Sequence, residues 1–78
     1  MALRQMARIR ERIEELLNHF NYDPAQDLEK GTEYANPIQR KVCDVLEKEF
    51  PNENFIELVN LCGEVMREMC TNYGMKNR

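Results

Sequence analysis

The stretch Phe55–Tyr73 reads FIELVNLCGEVMREMCTNY, and its reading decides the fold. At about 100° per residue, Phe55, Val59, Cys62, Met66, Met69 and Tyr73 fall on one face of a helix, each three or four residues from the next. Leu58, Leu61 and Val65 widen this stripe on one flank; Ile56, Gly63 and Cys70 extend it on the other. So broad an apolar arc exceeds what one neighbouring helix covers. The segment is therefore expected to be central to a bundle, or shared with a second chain. The seam is shorter than the three to four heptads that mark a coiled coil. Asn54, with Glu57 three residues on, supplies a variant of the capping box, and Gly74 is expected to stop the helix after Tyr73. Gly63 costs about 1 kcal/mol relative to alanine in a helix interior. It reads either as a point of close approach or as a tolerated glycine.

Towards the N-terminus, Leu3, Met6, Ile9, Ile13, Leu16, Leu17 and Phe20 recur at helical steps with Arg and Glu between them, which makes an amphipathic helix. Pro24 disfavours helical geometry at Asp23 and ends that pattern. Asp23 then caps a short turn of helix through AQDLEK, which Gly31 closes in a left-handed conformation. Thr32 to Tyr34 carry no clear signal. Asn36-Pro37 repeats the cap-plus-proline start, Ile38, Val42, Val45, Leu46 and Phe50 mark one face, and Pro51 ends the element. The expected elements are helices at about 3–20, 37–50 and 54–73, a helical turn at about 24–30, and a flexible tail at 75–78. No run alternates as a strand does. The fold class is all-α: one small three-helix bundle with an additional helical turn, with homodimerisation as one way of completing it.

A chain of 78 residues holds one small core, and a partner or second copy is the natural supplement to its stability. Cys43, Cys62 and Cys70 are odd in number and lack paired spacing, which points to a reducing, cytoplasmic setting rather than a disulfide framework. No apolar run is long enough to span a bilayer, so no membrane partner is expected. The opening MALRQMARIRERI is Arg-rich, but Glu11, Glu14 and Glu15 follow too closely for a transit peptide.

The functional classes narrow by elimination. The chain has no serine, and its one histidine, His19, lies on the solvent side of its helix. Glu14-Glu15 and Asp44 with Glu47 sit on exposed helix surface, where nothing raises a carboxyl pKa. The glycines form no phosphate-binding loop, and the acids of NYDPAQDLEKGTE are misplaced for a calcium loop. Cys62 and Cys70 stand about 12 Å apart along a helix, too far to share a zinc ion without help from Cys43 and His19. The cysteines read as small buried hydrophobes. No enzyme, metal or cofactor is expected.

Two binding readings remain. Arg4, Arg8 and Arg12 form a row that fits a phosphate backbone, but Glu11 and Glu15 share that face and pair with Arg8 and Arg12 at three-residue spacing. With a net charge of -3, nucleic-acid binding, through this row or a helix-turn-helix-like pair, is the second choice. The first is a small non-enzymatic protein–protein interaction module, a regulator, adaptor, chaperone or inhibitor. It would act through the helix face carrying Phe55, Val59, Cys62, Met66, Met69 and Tyr73.

Overall fold

The computed structural model describes residues 2–31 and 34–76, and these form four helices with no strand among them. They are α1 (Leu3–His19), α2 (Pro24–Lys30), α3 (Pro37–Glu49) and α4 (Phe55–Lys76). The all-α bundle expected from periodicity is the fold observed.

Local chemistry sets the boundaries. The Asp23 carboxylate accepts from the Ala25 N–H at 3.0 Å, and the Asn36 side-chain oxygen from the Ile38 N–H at 2.9 Å, each just ahead of a proline in the first turn. Asn54 caps α4 by accepting from the N–H groups of Ile56 and Glu57 at 2.8 and 3.2 Å. Helix α1 ends one residue before Phe20 through a device that periodicity does not reveal. Asn21 takes a positive φ of 59°, its N–H reaches the Asn18 carbonyl, and the Tyr22 N–H reaches back to Leu17 at 2.8 Å. This is a Schellman closure with asparagine in the usual glycine position, and Leu17 and Tyr22 at its two ends are both buried in the core. Gly31 closes α2 at a φ of 91°, as expected of a glycine there.

Two expectations need correction at the C-terminal end. Gly74 does not stop α4, which runs on to Lys76; Gly74 itself keeps a negative φ, and a helix end tolerates glycine in that conformation. The tail expected at 75–78 therefore loses Met75 and Lys76 to the helix, and its last two positions lie outside the described residues, as do Thr32 and Glu33.

At 22 residues, α4 is about 33 Å long, most of the 39 Å long dimension of the molecule. It packs against each of the other three helices, which is why its arc is so wide. The core joins Ile9, Ile13 and Leu17 of α1, Val42 and Leu46 of α3, and Leu58, Cys62 and Val65 of α4, all essentially sealed from solvent. Each such aliphatic side chain contributes about 1.5–3 kcal/mol by leaving water. Helix α2 has no buried residue at all, so polar contacts must do most to hold it.

The two glycines at helix ends are expected to respond oppositely to alanine. A Cβ at Gly74 meets no atom within 4 Å, so Gly74→Ala should raise stability by up to about 1 kcal/mol. Gly31→Ala forces a side chain into the positive-φ region and should cost about 1–3 kcal/mol. Urea denaturation of the two variants measures both signs.

Candidate interaction groove

Helix α2 is tied down by one carboxylate. Asp27 accepts from the Tyr22 hydroxyl at 2.5 Å and, through its other oxygen, from the Asn36 side-chain amide at 2.9 Å. Asn36 is itself buried and caps α3, so a single side chain joins the starts of α2 and α3. With its proton directed at Asp27, the Tyr22 oxygen can only accept from the Cys70 thiol of α4, 3.2 Å away. Burial, then the bonds to Asp27 and Cys70, push the Tyr22 pKa far above its ordinary value. The hydroxyl stays protonated and acts as a structural donor, leaving no free base in the cluster.

This network ties the start of α2 to α4, and beside that contact lies a groove of about 880 Å3, bordered by Leu28, Tyr34 and Asn36 and by the outer face of α4. Its floor is Val59, Gly63, Met66 and Cys70 of α4, with Gly74 and Met75 at one end. One wall is Leu28 and Tyr34, both substantially exposed; the other is Asn60, Arg67 and Thr71. From Val59 to Met75 the groove follows α4 for about 24 Å. Gly63 belongs to this floor because the Gln39 side chain of α3 crosses it. A Cβ at Gly63 would stand 3.4 Å from the Gln39 amide nitrogen, which donates to the Val59 carbonyl at 3.4 Å. The close approach is made by a side chain rather than by a helix backbone.

The six residues expected to form one interaction face are divided by the fold. Cys62 and Met66 are buried, and Val59 and Met69 pack against the core, while Phe55 and Tyr73 remain exposed. Val59 and Met66 also reach the groove floor; Cys62 instead turns inward to Cys43. Hydrogen bonding with Cys43 and burial both push the Cys62 thiol above its ordinary pKa, while the same bond draws Cys43 below its own. The Cys62 thiol also lies 3.8 Å from the Met66 sulfur. Leu28, Tyr34 and Arg67 were not marked by periodicity, because only the placement of α2 brings them together; the one available signal was Leu28, an apolar residue on a turn too short to bury it.

The arginine row is also divided. Arg4 and Arg8 are exposed, whereas Arg12 bonds Glu15 at 3.0 Å and grips Glu49 of α3 with two nitrogens at 2.8 and 2.7 Å. Arg10 pairs with Glu64 at 3.6 Å and with Glu68, fastening α1 to α4. His19 is exposed, edge-on to Phe20. Among the described residues no group of three or more His, Cys, Asp or Glu side chains is placed to hold a metal, and no helix is long and apolar enough to cross a membrane. Comparison with protein-family models, curated proteins and solved structures finds no match to this chain.

Two outcomes are expected from these contacts. Asp27→Ala strands the Tyr22 hydroxyl and the Asn36 amide, and should cost about 1–3 kcal/mol. Amide exchange should accelerate over 24–30 well before the core opens. Hydrogen bonds from Arg12 hold the Glu49 carboxyl below its usual range. Stabilisation from a depressed carboxyl is present above the unfolded value of about 4.3 and is lost as pH falls through the folded value. The urea midpoints of the native chain and Glu49→Gln should differ at neutral pH, converge in acid, and converge also at high salt.

Proposed function

We propose that this chain is a small non-enzymatic protein–protein interaction module, a regulator or adaptor of the reducing cytoplasm, and that its recognition element is the groove along α4. The observation that carries this reading is a groove along α4 with exposed apolar side chains at its edge and end. Leu28 and Met75, 50% and 65% exposed, flank it although each could contribute about 1.5–3 kcal/mol if covered. A groove about 24 Å long is extended for a small molecule and suits a polypeptide. The pocket-facing acid, Asp27, is occupied by two hydrogen bonds, and the neighbouring Tyr22 keeps its proton, which favours binding over catalysis. Three free cysteines, two of them buried side by side, agree with a reducing setting.

The nucleic-acid reading keeps less support, since Arg12 is committed to two carboxylates and only Arg4 and Arg8 of the row stay open.

Site-specific photocrosslinking in the native cell tests the proposal. A benzophenone side chain at Gly74 projects into open groove, and one at Glu11 stands on α1, which contributes nothing to the groove. Discrete protein adducts from position 74 and none from position 11 are expected. The same adducts from both positions, or none from 74, would count against the groove.

A further inference from the structure

We infer that Cys43 and Cys62 are an oxidant-sensitive pair, which hydrogen peroxide converts to a disulfide joining α3 to α4. Neither side chain lines the groove, so the pair is independent of the docking reading.

Chain topology sets the two opposite one another. Only residues 50–54 connect α3 to α4, and the two helices pack together, so they run antiparallel. Cys43 stands six residues before the end of α3 and Cys62 seven after the start of α4, about 9 and 10.5 Å along the two axes. They are therefore nearly level. Gln39, one turn ahead of Cys43, agrees with this register: its side-chain amide reaches the Val59 carbonyl at 3.4 Å and lies beside Gly63, the residue after Cys62. Both thiols are in the core, 3% and 0% exposed, and they hydrogen-bond to each other. Cys70 is placed differently. It lies about 12 Å further along α4 than Cys62, is only half-buried, and is engaged with the Tyr22 hydroxyl.

A buried thiol without a polar neighbour is inert, because burial disfavours the thiolate. The contact alters this for Cys43. A hydrogen bond from the Cys62 thiol favours the Cys43 thiolate, the nucleophilic form, and Cys43 is also the less completely sealed of the two. Hydrogen peroxide is small and uncharged, and reaches the pair through local opening of the 13-residue α3. The Cys43 sulfur attacks one peroxide oxygen, the O–O bond breaks, and the departing hydroxide leaves as water with the Cys43 proton. A sulfenic acid remains at Cys43. The Cys62 sulfur then attacks the Cys43 sulfur; the S–O bond breaks, and the hydroxide leaves as a second water with the Cys62 proton. Together the two sulfurs lose two electrons, which the peroxide gains. Because Cys62 is already in contact, ring closure competes with further oxidation to sulfinic acid. Small-molecule thiols reverse the bond by exchange.

Peptide mapping of the full-length chain tests the pair. Trypsin places the three cysteines on separate peptides, residues 42–48, 49–67 and 68–76. The reduced chain is dilute, in native buffer, when hydrogen peroxide is added, and free thiols are then capped with a maleimide. Peptides 42–48 and 49–67 should be linked within a chain of monomer mass, and dithiothreitol should separate them. The bridged chain should keep its helical circular dichroism and unfold at a higher urea concentration than the reduced chain, since the bridge restricts the unfolded state. Cys43→Ala and Cys62→Ala should each abolish the link, whereas Cys70→Ala should leave it in place. Bridging through peptide 68–76 instead, or sulfinic acid at Cys43 with no bridge, would overturn the inference. So would a link that forms only once urea has unfolded the chain, a bridged form that unfolds more easily than the reduced one, or no reaction at Cys43 and Cys62 under conditions that oxidise Cys70.

Discussion

The Asp27 carboxylate is the contact on which the rest of the surface architecture depends. Helix α2 is seven residues long and buries none of them, so it is too short to persist alone and has no apolar face to anchor it. What anchors it is a chain of polar contacts. Asn36 and Tyr22 both donate to Asp27, and the Cys70 thiol donates to Tyr22 from α4. Hydrogen bonds shielded from water are electrostatically stronger than exposed ones, and a partly buried network is costly to leave unmade. The network therefore fixes how α2 sits on α4, which places Leu28 at the edge of the groove.

The ion pairs serve a different purpose. Arg10 and Arg12 lie on opposite flanks of the apolar face of α1 and reach α4 and α3 respectively. Exposed pairs of this kind contribute little stability, about 0–1 kcal/mol each. Their effect is on orientation, since a two-pronged arginine–carboxylate contact such as Arg12 to Glu49 favours one rotational setting of α1 over its neighbours. The same contacts remove half of the positive charge that the arginines of α1 advertise. Counting arginines along a helix overstates the field it presents, because the neutralising acids come from Glu49, Glu64 and Glu68, far away in sequence.

Much of the fold was legible in the residues because its causes are local. Asp23-Pro24, Asn36-Pro37 and Asn54 each mark a helix start with a cap whose bond spans two or three residues, and the structure contains all three. The width of the α4 stripe correctly implied a helix with neighbours on several sides. Asn21 was not legible as a left-handed terminator, since asparagine adopts that conformation only where the local closure favours it. Gly74 misled in the opposite sense: glycine permits a stop without requiring one. The candidate site was the least legible part. Periodicity groups residues by angle around a single helix, so it joined Phe55 and Tyr73 to Cys62, which the fold separates by exposure. It could not join Leu28, Tyr34 and Arg67, which share a groove only because Asp27 places α2 where it does.

The placement of α2 also leaves apolar surface for a partner on the proposed reading. Helix α2 packs on α4, yet Leu28 stays 50% exposed at the groove's edge, as Met75 does at its end, 65% exposed. Pulling Asp27 away from Tyr22 and Asn36 would leave two donors unmatched, at about 1–3 kcal/mol each, comparable to the gain from covering one aliphatic side chain, about 1.5–3 kcal/mol. Trading those bonds for the burial of Leu28 therefore gains little, whereas a partner covers Leu28 and leaves the Asp27 bonds intact.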